Sequence, residues 1–410
     1  MPFSPSADIG QLLCHLPNVS NENLKHVLIV GGEASGDLHG ANLVRAIKDL
    51  NPDIRVQGIG GKNMEEAGVE ILIPSSDMAV VGLTEVFSRL NTIIRASLNL
   101  KSLLKKSPPD LLILIDYPDF NINLARTAKK CGVPVLYYIS PQVWAWRRGR
   151  VKKITERVDR MAVILPFEEE FYLKNTKDIR VDYVGHPLMD IIPEYRDRDD
   201  IKTSLGIKEG GPVLGLLPGS RNEEIKNLLP SMIGAAEILS TRFNNIKCLL
   251  PIAPTISPDL IESMTGRSVP EVIVWDKDMY SALSICDLAL VASGTATLET
   301  AIMGVPMVIA YKISPMSFWI GKKIIKVRHI GLVNLVAGEE VAPEVIQNEV
   351  SAQGLADKAL KILENEDLKA DMVKKLNMVK ERLGGPGAAK RTAQIAMEMM
   401  NKKIIYPRGR

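Results

Sequence analysis

Cysteine is scarce in this chain: Cys14, Cys131, Cys248 and Cys286 lie far apart in 410 residues, and none forms a C-x-x-C pair. That excludes a disulfide scaffold and a cysteine zinc site, and it suits a reducing compartment. The five histidines show no metal-ligand spacing, so no metal is expected. The formal charge is only +3, too small for the clustered basic footprint of a nucleic-acid binder. No run approaches the ~18 apolar residues that a membrane span needs. The longest, 111–115, reads as a buried strand. Residues 1–24 lack a basic start followed by an apolar core, so they read as a loose extension and not a signal peptide. A cytoplasmic protein is expected, with residence on a membrane surface open.

What is present is ordinary globular composition, 46% hydrophobic and 24% charged, in a length that suits two domains. Short apolar runs alternate with helical segments, the pattern of a parallel sheet covered on both faces. In the first half the expected strands are 26–30, 54–59, 71–73, 111–115, 135–139, 160–164 and 180–183, with helices notably over 85–105 and 121–130. The charged stretch 190–200, which carries Pro193, reads as a linker. Strands resume at 212–217, 246–251, 272–274, 288–291 and 307–310, and helices close the chain. The expected architecture is α/β, two doubly wound units with a ligand cleft between them. The divisions are 1–24 (extension), 25–190, 191–385 and a C-terminal segment 386–410 that crosses back or is exchanged in a dimer.

Four strand-to-helix loops could carry chemistry. Gly31-Gly32-Glu33-Ala34-Ser35-Gly36-Asp37 could hold an anion at a helix start, although its glycines break the dinucleotide spacing. Asp116 ends the apolar run at the carboxyl edge of a strand, where open α/β sheets place ligands, and could act as a general base. Asp119 suits an N-cap for the helix expected near Asn121. Leu217-Pro218-Gly219-Ser220-Arg221 offers free N–H donors, a hydroxyl and a guanidinium to a diphosphate. Ser293-Gly294-Thr295 opens another helix, and Glu299 about one turn later could take both hydroxyls of a ribose.

Two amphipathic stripes read either as core or as membrane-surface faces. One is Leu83, Val86, Phe87, Leu90, Ile93 and Ile94 beside Arg89 and Arg95. The other is Phe318, Trp319, Ile324 and Ile325 among Lys322, Lys323 and Lys326. The run Trp144-Ala145-Trp146-Arg147-Arg148-Gly149-Arg150 could rest on lipid headgroups or bind an acidic substrate.

Together these motifs resemble the lipid A disaccharide synthases, glycosyltransferases of the GT-B fold. The resemblance rests on Gly32-Glu33-Ala34-Ser35-Gly36-Asp37, Ile115-Asp116-Tyr117-Pro118-Asp119-Phe120-Asn121 and Ser140-Pro141-Gln142-Val143-Trp144-Ala145-Trp146-Arg147. It continues through Leu217-Pro218-Gly219-Ser220-Arg221, Ala292-Ser293-Gly294-Thr295-Ala296 with Glu299, and Asn334-Leu335-Val336-Ala337-Gly338. It implies transfer from UDP-2,3-diacylglucosamine to 2,3-diacylglucosamine 1-phosphate (lipid X), with inversion, no cofactor, and a β-1,6 disaccharide and UDP as products. By the same resemblance Asp116 is the base and Arg221 stabilises departing UDP. Gly219, Ser220, Ser293, Gly294, Thr295, Glu299 and Asn334 bind the donor, while Gly32, Glu33, Ser35, Gly36 and Asp37 face the acceptor. Diacylated sugars require work at the cytoplasmic surface of the inner membrane, which favours Leu83, Val86, Phe87 and Leu90 as a docking face, and a homodimer is a further expected partner. The rival readings are a muropeptide glycosyltransferase, a UDP-N-acetylglucosamine epimerase and a non-catalytic binding protein. Replacing Leu83, Val86, Phe87 and Leu90 with serine is expected to give a folded, more soluble protein; an unfolded, no more soluble product in a solubility and melting assay would make the stripe core.

Overall fold

The computed structural model describes residues 24–78, 83–145, 149–176, 179–193, 198–205, 207, 210–253, 256–266, 270–276, 278–314, 318 and 327–401, the side chains of 83–90 and 204 excepted. All the expected strands form. The first sheet holds β1 (His26–Gly31), β2 (Arg55–Gly60), β3 (Glu70–Pro74), β4 (Leu111–Ile115), β5 (Val135–Tyr138), β6 (Arg160–Val163) and β7 (Arg180–Tyr183). The second holds β8 (Val213–Leu217), β9 (Lys247–Pro251), β10 (Val272–Trp275), β11 (Leu288–Ala292), β12 (Met307–Tyr311) and β13 (Glu344–Ile346). The last was not expected, because three residues opening on a glutamate carry no alternation. It joins the edge in parallel, from Ile309↔Glu344 to Tyr311↔Ile346.

Every pairing in both sheets is parallel. Helices cover both faces, so the central strands are apolar at every position: β4, β8 and β11 are buried throughout. Each buried Leu, Ile or Val there contributes about 2 kcal/mol relative to exposure. The strand order is β3-β2-β1-β4-β5-β6-β7 in one sheet and β10-β9-β8-β11-β12-β13 in the other. Each order reverses once, between β1 and β4 and between β8 and β11. At such a point the loops leaving two neighbouring strands diverge and open a crevice at the carboxyl edge.

The stretch 190–200 is not the plain linker expected. Asp190 lies in a helical turn, Leu188–Ile191, and Arg198–Ser204 is a helix with Asp199 and Asp200 in its first turn, where carboxylates are favoured. The Asp190 carboxylate accepts the amides of Gly387 and Ala389, so although exposed it caps the C-terminal helix Ala388–Asn401. That helix packs on Ala34–Leu50 and buries Ala393, Ala396 and Met400 in the core beneath the first sheet. Arg391 pins the return by donating to the carbonyls of Val184 (2.8 Å), Gly385 (2.9 Å) and Pro386 (2.9 Å). Buried Arg160 ties the same helix to the sheet through Asp182 (2.6 and 2.9 Å) and Glu398 (2.7 Å). No helix among the described residues is long and apolar enough to cross a membrane. Arg391→Met keeps the aliphatic stem and loses three charge-assisted bonds, so it should lower unfolding free energy by about 2–3 kcal/mol, read as an earlier urea midpoint.

Candidate functional site

The two crevices contribute to one cavity of about 790 Å³. The loops after β1 and β4 supply Glu33, Ser35 and Asp116; Gln142, Trp144 and Ala145 join from the loop after β5. Gly219, Ser220 and Arg221 follow β8, and Ser293, Gly294, Thr295, Ala296 and Glu299 follow β11. His329 and Ile330 complete the second wall.

Asp116 sits on a strained turn. It and Tyr117 both adopt left-handed backbone, φ 43 and 45°, a conformation costing non-glycine residues about 1–3 kcal/mol each. The turn is held from behind: Asn121 Nδ2 donates to the Asp116 carbonyl at 2.7 Å and to that of Ile115 at 3.1 Å, and the Tyr137 hydroxyl donates to the Asp116 carbonyl at 2.5 Å. Tyr117 is anchored by its hydroxyl to the Met78 carbonyl at 3.0 Å. Burial pushes the Asp116 carboxyl up to about 6, the Glu33 carboxylate pushes the same way, and the Tyr117 amide partly offsets both. Asp119 is not the N-cap expected. The helix begins at Pro118, where proline needs no amide partner, and Asp119 in its first turn pairs with Arg150.

The residues expected at the acceptor divide. Glu33 and Ser35 line the cavity. Gly32 does not: a Cβ there would lie 2.6 Å from the Tyr117 ring, so glycine admits that ring. Gly36 lets helix and strand close, since a Cβ on it would meet the Gly31 Cα at 3.2 Å. Asp37 is buried, with its carboxylate saturated by the amides of Gly61 (2.6 Å), Asn63 (3.1 Å) and Met64 (3.0 Å) and by Asn63 Nδ2 (2.8 Å). It builds the next loop and has nothing left for a ligand.

Where donor binding was expected, the loop after β8 is not an open set of N–H groups. Glu224 Oε2 accepts the amides of Ser220 (3.1 Å) and Arg221 (3.3 Å), and Oε1 faces the Arg221 guanidinium at 3.3 Å. Gly219 is required there: its φ is +110°, and a Cβ would lie 2.2 Å from Glu224 Oε2. Arg221 still reaches the cavity, with its side chain 71% exposed. The Ser293 hydroxyl donates to the Ile330 carbonyl at 2.9 Å and fixes the neighbouring loop. Gly294, at φ +148°, caps the helix Thr295–Ile302; the amide of Thr297 turns back to the Gly294 carbonyl at 3.1 Å, while Thr295 and Ala296, whose amides begin the helix, line the cavity. Burial raises the Glu299 carboxyl, and its Oε1 accepts the Tyr280 hydroxyl at 3.1 Å.

Asn334, expected near the nucleotide, is fully buried away from the cavity lining. Its Oδ1 accepts the amides of Val341 and Ala342 (2.8 and 2.9 Å), and its Nδ2 donates to the Ala342 carbonyl and to Glu344 (2.7 and 2.9 Å). Trp144 does not face headgroups. It is buried, donates to Glu168 at 3.1 Å and packs edge-on against Phe167. Burial lifts the Glu168 carboxyl to about 7 despite the amides of Leu165 and Ile164. Trp146, Arg147, Arg148, Trp319, Lys322, Lys323, Ile324, Ile325 and Lys326 lie outside the described residues, as do the side chains of Leu83, Val86, Phe87 and Leu90 in the helix Leu83–Lys106. Residues that sequence reasoning missed include Gln142, Tyr280 and His329. Gln142 lay inside a motif, whereas the other two carry no local signal. Among the described residues no three His, Cys, Asp or Glu side chains gather as metal ligands.

This arrangement agrees with a family model described as lipid-A-disaccharide synthetase, which matches residues 27–399. The chain belongs to the lipid-A-disaccharide synthase family. It is 48% identical over 384 residues to the lipid-A-disaccharide synthase of Geobacter sulfurreducens, covering 93% of this chain and all of that one. With the Coxiella burnetii synthase identity is 42%, over 92% of this chain and 99% of the relative. It is accordingly a glycosyltransferase of lipid A biosynthesis. The fold is GT-B. A UDP-GlcNAc 2-epimerase from Neisseria meningitidis superposes with a TM-score of 0.65 at 12% identity, covering 91% of this chain and all of that one. The calicheamicin glycosyltransferase does so at 0.58 and 13%, covering 93% and 100%.

The Asp116 carboxyl titrates above its ordinary 3.8, so the folded synthase holds that proton more tightly than the unfolded chain. Its contribution to stability is therefore complete below about pH 4 and is lost as pH rises through about 6. Asp116→Asn should gain melting temperature relative to the parent at pH 8 and little at pH 4, checked by paired thermal melts.

Proposed function

We propose that the chain joins UDP-2,3-diacylglucosamine to 2,3-diacylglucosamine 1-phosphate, forming the β-1,6 disaccharide and UDP in one inverting displacement. The observation that carries this reading is the Asp116 carboxylate, raised to about 6 and set in the same cavity as the two donor-side loops. Ionised at neutral pH, yet more basic than an ordinary aspartate, it suits removal of a proton from the acceptor 6-hydroxyl. The freed oxygen attacks the anomeric carbon, the bond from that carbon to the diphosphate oxygen breaks, and UDP departs with the electron pair. Two groups meet the charge that develops: the Arg221 guanidinium and the first amides of the helix Thr295–Ile302. The loop amides of Ser220 and Arg221 hold Glu224 and so serve the diphosphate indirectly, by fixing where Arg221 starts.

Glu299 fits the ribose, and Glu33 and Ser35 fit the acceptor. Residues 25–190 would then form the acceptor unit and 191–385 the donor unit, with the segment from 386 returning to the first. The acyl chains require a bilayer edge, so the protein works peripherally on the cytoplasmic face of the inner membrane, with the stripe around Leu83 and Phe87 toward lipid; exchange of the C-terminal segment between two copies remains part of the proposal.

Incubation with both sugars should release UDP only when the acceptor is present. Asp116→Asn should lose about 10²–10⁴-fold in turnover, and the parent should show an acid limb near pH 6. Arg221→Ala should lose about 10–10³-fold. Preserved turnover in either variant removes the role given to that residue.

A further inference from the structure

Glu299 is steadied by a residue outside every recognisable motif. The Tyr280 hydroxyl donates to Glu299 Oε1 at 3.1 Å. Tyr280 lies in the first turn of the helix Met279–Ser284, and that turn is itself fixed. Asp278 caps it by accepting the amides of Tyr280 and Ser281, both at 3.2 Å, and the Ser281 hydroxyl at 2.7 Å. Trp275 Nε1 donates to the Asp278 carbonyl at 2.8 Å, tying the cap to the end of β10. The phenol is thus anchored to the sheet at one end and to a cavity carboxylate at the other.

Burial and the Glu299 carboxylate both hold the Tyr280 proton on its oxygen, so the phenol is a lasting donor. A glutamate has three side-chain torsions to lose on ordering, and a preset partner reduces what a ligand must freeze. Oε1 keeps a second lone pair after accepting from the phenol, and Oε2 accepts no hydrogen bond from the described residues. Two acceptor oxygens at fixed positions match two neighbouring hydroxyls.

We propose that Tyr280 is a positioning residue that orients the Glu299 carboxylate for the vicinal hydroxyls of a ribose, and so makes the site prefer ribonucleoside over 2′-deoxyribonucleoside diphosphates. The inference rests on the reading of Glu299 as the ribose acceptor. A purely structural Tyr280 would weaken binding without regard to the sugar, whereas an orienting one acts on the hydroxyls alone.

The test is calorimetric binding of UDP and of 2′-deoxy-UDP to the full-length parent, Tyr280→Phe and Glu299→Ala. The parent should favour UDP by about tenfold, the worth of one good hydrogen bond. Tyr280→Phe should narrow that preference about threefold, with the loss falling mainly on UDP, and Glu299→Ala should erase it. An unchanged preference in Tyr280→Phe, or equal weakening of both nucleotides, overturns the role of Tyr280 while Glu299→Ala still supports the ribose reading. A preference that survives Glu299→Ala, or is absent from the parent, overturns the ribose reading itself and the proposal with it.

Discussion

Everything at the site depends on one geometric constraint: parallel strands end on a common edge, and neighbours whose connections run in opposite directions part there. In this chain that happens twice, between β1 and β4 and between β8 and β11. Glu33, Asp116, Arg221 and the start of the helix at Thr295 each follow one of those four strands. The strands hold their places through burial on both faces, so the positions of the polar groups are set by apolar packing beneath them. The returning helix Ala388–Asn401, capped by Asp190 and pinned by Arg391, adds to the cover of the first sheet and ties the chain's end to it.

That foundation allows the Asp116 turn to be strained. Two consecutive left-handed non-glycine residues would relax in an isolated peptide, and here Asn121 and Tyr137 hold them from two neighbouring elements while the Tyr117 hydroxyl is anchored on the Met78 carbonyl. The result is a carboxylate withdrawn from water and close enough to Glu33 to feel its charge. Both effects make the carboxylate more basic, and both cost folding free energy that the packed sheet offsets. The opposite wall carries the cationic Arg221 and the positive end of a helix, so the basic carboxylate and the positive charge are kept on separate walls of one cavity.

The strands and the loops that follow them were legible because continuous Val, Ile and Leu runs between helical segments have few other readings. The motif residues were legible as a set, and 48% identity to a full-length synthase explains why. What the motifs did not reveal was which member faces the ligand. Asp37 and Asn334 are polar, lie in the right motifs, and are consumed by hydrogen bonds to backbone and neighbouring side chains inside the fold. The amides of Ser220 and Arg221 are taken by a glutamate three residues beyond the loop's end. A sequence states that a residue type is present, and hydrogen-bond saturation is a property of the folded neighbourhood. Asp190 misled for the same reason: it read as part of a charged linker, yet it caps a helix almost two hundred positions away.

This division has a chemical logic. A loop that must present a few groups to a charged, flexible substrate has to be rigid before the substrate arrives, or binding would carry the entropy of ordering it. Rigidity comes from residues that spend all their donors and acceptors internally. Asp37 fixes the loop after β2, Asn334 the turn toward β13, Glu224 the start of the helix beneath Arg221, and Glu168 the ring of Trp144. Glu33, Ser35, Asp116, Arg221, Glu299 and the first amides at Thr295 and Ala296 are then among the described groups left to act on a ligand. Replacing a supporting residue should disturb function through the position of a neighbour, and replacing a facing one through its charge. The two groups therefore differ in what they contribute although they share the same short motifs.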